Sequence, residues 1–77
     1  MADQLQQIIA FCSRRYNENH DTRPGLAQAH LAIINRANDV MLSTGIAGDL
    51  LVFLSKPHTG PDLASACKEA LEQLGQV

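Results

Sequence analysis

The sequence predicts an all-α fold, a small bundle of three to four short helices forming one domain over residues 1–77. Three observations carry this. Apolar residues recur at helical spacing along most of the chain. Proline, glycine and short polar clusters fall where helices would start and stop. The only aromatic residues are Phe11, Tyr16 and Phe53, with no tryptophan, so the core must be built from Leu, Ile, Val, Met and Ala, which suit close helix packing.

The first helix is expected from Asp3, a good N-cap, to about Asn17. Leu5, Ile8, Ile9, Cys12 and Tyr16 share one face, with Phe11 off that stripe. The polar cluster Asn17-Glu18-Asn19-His20-Asp21 should end it. Asp21 or Thr22 is expected to cap the second helix, with Pro24 in its first turn, where a missing N–H costs nothing. It should run to about Ser43, with Gly45 near its C′ position. Its apolar arc holds Leu26, Ala29, Ile33, Ala37, Val40 and Met41 and widens through Ala27, Leu31 and Ile34. So wide an arc implies contact with more than one neighbour.

Ala47 to Ser55 is expected as a short third helix, ended by Lys56-Pro57 because the residue before proline is disfavoured in the α region. Its core, Leu50-Leu51-Val52-Phe53-Leu54, is apolar on every side. The same run also fits a strand, since periodicity does not separate the two in so short a segment. A lone strand would need a second chain to pair its edges. For the fourth helix, Thr59 is expected as cap, with Pro61 in the first turn and Asp62 at the positive end of the dipole. Leu63, Ala66, Cys67, Ala70, Leu71 and Leu74 share its apolar face, Lys68 and Glu72 form an i, i+4 pair outside, and Gly75 closes it.

Composition excludes several function classes. The net charge is −2, so nothing draws the whole chain to nucleic acid or to an anionic membrane. Cys12 and Cys67 make no disulfide framework and fall on apolar stripes, as buried reduced thiols of a cytoplasmic protein would. The N-terminus has no positively charged segment followed by a long apolar one, so no signal peptide is expected. The apolar run falls short of the roughly 20 residues needed to span a bilayer.

No catalytic frame appears. There is no G-x-S-x-G, and Arg14 and Arg15 near Cys12 are poorly placed to activate a thiol that faces the core. His20, His30 and His58 follow no metal-ligand spacing, and no cofactor or metal is expected. His30 lies in the apolar arc and reads as a partly buried histidine with one hydrogen-bond partner. Gly45 and Gly48 lack the lysine and the preceding strand of a phosphate loop. Helices two and three have the outline of a helix-turn-helix, but the third offers only Asp49, Ser55 and Lys56 around an apolar body, the wrong chemistry for base edges.

What remains is an apolar surplus and one basic corner. A domain this short buries only roughly 60% of its unfolded surface. The run at Leu50, Leu51, Phe53 and Leu54, with Phe11, is therefore expected at an interface, although it would equally serve as the centre of a four-helix core. Arg14, Arg15 and Arg23 cluster at the first corner and would give orientation and on-rate. The expected function is a small regulatory or adaptor protein that binds another protein as a homodimer, with a small DNA-associated regulator as the alternative.

Overall fold

The computed structural model describes residues 3–75. Four helices follow one another: α1 (Asp3–Asn19), α2 (Pro24–Ser43), α3 (Ala47–Ser55) and α4 (Pro61–Gln73). The segment that could have been a strand is therefore helix, over the expected residues. The Cα radius of gyration is 11.5 Å, in line with about 11.5 Å for a folded domain of this length.

The helices begin where proline dictates. Pro24 and Pro61 each occupy the first turn, and the residue before each proline is pushed out of the α region. Arg23 (φ −137°, ψ 70°) and Gly60 (φ −81°, ψ 129°) are thereby the N-caps, and neither supplies a side-chain cap. This corrects the expectation of Asp21 or Thr22 for α2 and of Thr59 for α4. The capping role assigned to Asp3 lies outside what the described residues show.

The first corner is held by Asn19, a residue with only 6% of its surface exposed. Its Nδ2 donates to the Arg15 carbonyl at 2.7 Å, and its own carbonyl accepts from the Arg23 amide at 2.7 Å. α2 closes at Gly45, which takes φ +68°. That conformation lets its amide, with that of Thr44, donate to the Val40 carbonyl. Gly75, at φ +74°, follows α4, its amide donating to the Glu72 carbonyl at 3.0 Å.

α1 packs chiefly along α2, and α2 also contacts α3 and α4, as its wide arc requires. The core draws Leu5, Ile8 and Cys12 from α1, Leu26, Ala29, Ile33, Ala37 and Val40 from α2, Leu50 and Leu54 from α3, and Ala66, Cys67 and Ala70 from α4. Ala29 and Ala37 of α2 and Ala66 and Ala70 of α4 are all buried. A Cβ at Gly25, in the first turn of α2, would overlap the Asp62 carboxylate in the first turn of α4. Met41, expected in the α2 arc, is 38% exposed. No ion pair joins Lys68 to Glu72 among the described residues.

Candidate functional site

The geometry of α3 decides what can meet a partner. It is entered through Thr44, whose hydroxyl accepts from the Ile46 amide at 3.2 Å and donates to the Asp49 carboxylate at 2.6 Å. Asp49 in the first turn also meets the positive end of the helix dipole. The helix ends at Lys56, whose ψ of 147° is the extended value a following proline demands. The Phe53 carbonyl left over there accepts from the Lys56 amide at 3.3 Å and from His58 Nε2 at 3.0 Å.

Between these ends the apolar run divides. Leu50 and Leu54, one turn apart, are 1% and 2% exposed and belong to the core. They were expected at an interface, and their burial removes them from it. A nine-residue helix has one inward face, and positions i and i+4 fill it. Leu51 and Phe53 are half-buried against that core. The Phe53 ring lies 5.1 Å from the His58 ring and 5.9 Å from the Arg36 guanidinium carbon. Val52 faces outward, 59% exposed.

Among the described residues, the exposed large hydrophobic residues are Met41, Leu42, Ile46 and Val52, all from the end of α2 through α3. Three concave surfaces adjoin the segment, and one of about 500 Å³ is lined by Leu51, Val52, Ser55, Lys56 and Pro57 of α3 and its end. Another, of about 300 Å³, lies between α2 and α3 and is lined by Arg36, Asp39, Asp49 and Val52 among others. The third, of about 430 Å³, runs between the end of α3 and α4, with Leu54, Cys67 and Leu71 at its floor and Lys56, His58 and Lys68 around it.

The basic corner has a different use for one of its members. Arg15 Nη1 donates to Glu18 at 2.9 Å, and Arg15 Nε donates to Glu69 Oε1 on α4 at 3.1 Å. These two hydrogen bonds raise the pKa of the guanidinium. Reversing its charge would gather three carboxylates, so Arg15 serves to tie α1 to α4. Arg14 lies 5.6 Å over the Phe11 ring. Arg23 is exposed at the start of α2. Phe11 is half-buried and meets His30 edge-on, with ring centroids 6.1 Å apart.

His30 is fully buried rather than partly so. Its Nδ1 donates to the Leu26 carbonyl at 3.0 Å. Nε2 has no hydrogen-bond partner and lies 3.3 Å from Glu69 Oε1. Burial pushes the Cys12 thiol up to about 12, with Cys67 and Glu69 adding to the effect, and pushes the Cys67 thiol up to about 11. Such thiols are poor nucleophiles, because the thiolate is the reactive form. Among the described residues no group of three or more His, Cys, Asp or Glu side chains is placed to hold a metal ion. Nor is any helix long and apolar enough to cross a membrane.

Sequence reasoning gave no binding role to Leu42 or Ile46, and none to Lys56 and Lys68, which it read as a helix end and half of an outside pair. Leu42 carried a usable signal, since it stands off the α2 arc and is apolar without a place in the core. Comparison with protein-family models, curated proteins and solved structures returned no match.

Proposed function

We propose that this protein is a small cytoplasmic regulator or adaptor that acts by binding another protein, as a homodimer and without catalysis of its own. One observation carries the reading: among the described residues, the exposed large hydrophobic residues all lie in the segment from Met41 to Val52. Scattered apolar side chains are ordinary on a protein surface, whereas their restriction to one segment of the chain supports an interface there. Around Val52 the rim carries both signs, Arg36 against Asp39 and Asp49. A two-fold interface must complement itself, and a mixed-sign rim permits that. The alternative of a DNA-associated regulator has less support, since it needs the basic corner and Arg15 is engaged with Glu18 and Glu69.

Sedimentation velocity at micromolar concentration tests the reading. The expected result is a mass near twice that of the chain for the parent, and a folded monomer for Val52→Asp. A parent that stays monomeric at high concentration would overturn the homodimer.

A further inference from the structure

The groove between the end of α3 and α4 is lined by cationic side chains and apolar ones. The chain contains two lysines, Lys56 and Lys68, and both line this groove. No carboxylate lines it. Among the described residues neither lysine forms an ion pair. His58 stands with them, oriented by its bond to the Phe53 carbonyl. The groove's apolar lining comes from Leu54, Cys67 and Leu71, with the exposed Pro57 and Ala64 beside them. All this sits on a chain whose net charge is −2.

We infer that this groove docks an acidic amphipathic segment of a partner protein, its apolar side chains on the floor and its carboxylates against Lys56 and Lys68. The inference rests on the protein-binding reading and names the chemistry of the partner. A concave surface between two helices with an apolar lining suits a helical chain segment, as in helix-in-groove recognition. Paired charges of one sign and no opposing carboxylate define the complement as acidic. A second copy of this chain is the weaker occupant. A two-fold contact here would set two lysine-lined grooves face to face, with like charges opposed.

The probe is a fluorescein-labelled synthetic helical peptide with Leu on one face and Glu flanking it, alongside the same peptide with Lys in place of Glu. Anisotropy should show the Glu peptide binding at least about tenfold more tightly than the Lys peptide at low salt, with the difference shrinking at high salt. The double variant Lys56→Glu/Lys68→Glu should invert the preference, and Lys56→Gln/Lys68→Gln should abolish it. Both sites are exposed, so unchanged melting temperatures are expected, and the Gln pair still reports should the Glu pair fail to fold. Amide shifts on binding should map to Ala64, Lys68 and Leu71.

Equal binding of both peptides, binding of neither, or a preference untouched by the lysine variants overturns the inference. So do shifts confined to Ile46 and Val52, which would leave the protein-binding reading intact. A parent dimer lost in the lysine variants while Val52→Asp remains dimeric would give the groove to a second copy, and overturns the inference as well.

Discussion

Cys12 and Cys67 bring the folded chain a proton-linked term in its stability. Burial raises both thiols, to about 12 and about 11, from an ordinary value of 9.0. Below about 9 both the folded and the unfolded chain hold these protons, and the contribution is fully present. As pH rises from about 9 towards 12, the unfolded chain releases them and the folded chain does not. Stability therefore falls, by up to about 1.4 kcal/mol per pH unit for each thiol. Urea melts of the parent between pH 8 and pH 11 should show this decline, and the Cys12→Ala/Cys67→Ala variant should show a shallower one. Equal slopes would mean that the thiols ionise as freely in the fold as outside it. The sequence placed both cysteines on inward faces correctly, because helical periodicity reports burial. It could not place Arg15, whose carboxylate partner Glu69 lies 54 positions away. Helical spacing sets Arg15 nearer the inward stripe than Arg14, and Glu18 is in reach at i+3, but only the packing of α1 on α4 supplies Glu69.

At the scale of the element, α3 presents two kinds of apolar residue in one short run. Leu50→Ala and Leu54→Ala should each cost about 2–5 kcal/mol, because each leaves a cavity in the core. Val52→Ala should stay within about 0.5 kcal/mol of the parent, as exposed positions do. Thermal melts of the three variants check this, and similar losses in all three would place Val52 in the core. The bounds of α3 were readable because Gly45 and Pro57 bracket it with backbone requirements that do not depend on neighbours. Which of its apolar residues face outward was not readable. An uninterrupted apolar run has no polar face to mark the outside, and only contact with α2 and α4 selects one. The N-caps were misplaced for a local reason that general cap preferences obscure. A proline in the first turn makes its predecessor the cap whatever that residue is, and so Arg23 and Gly60 outrank Asp21 and Thr59.

Across the whole molecule the helices are unequally anchored. α1 and α2 pack along each other and enclose most of the core, whereas α3 contributes two buried side chains, Leu50 and Leu54. Stability in small domains is distributed in this uneven way, from global in the core to near zero at weakly held elements. Native-state hydrogen exchange should show the amides of α3 exchanging by local opening, well before those around Ile8 and Ile33, which should exchange only on global unfolding. Uniform protection would show instead that the four helices open together.

The paired first helices have a further consequence in time. They are consecutive, joined by a four-residue turn (20–23) and stitched at the corner by Asn19. Their contacts close a short loop, which carries little entropic cost and favours early formation. A chain emerging from the ribosome would complete this hairpin before Leu50 and Leu54 are available to cover its exposed side. For that interval the surface awaiting α3 and α4 is open, and it is then that the nascent chain is most vulnerable to aggregation.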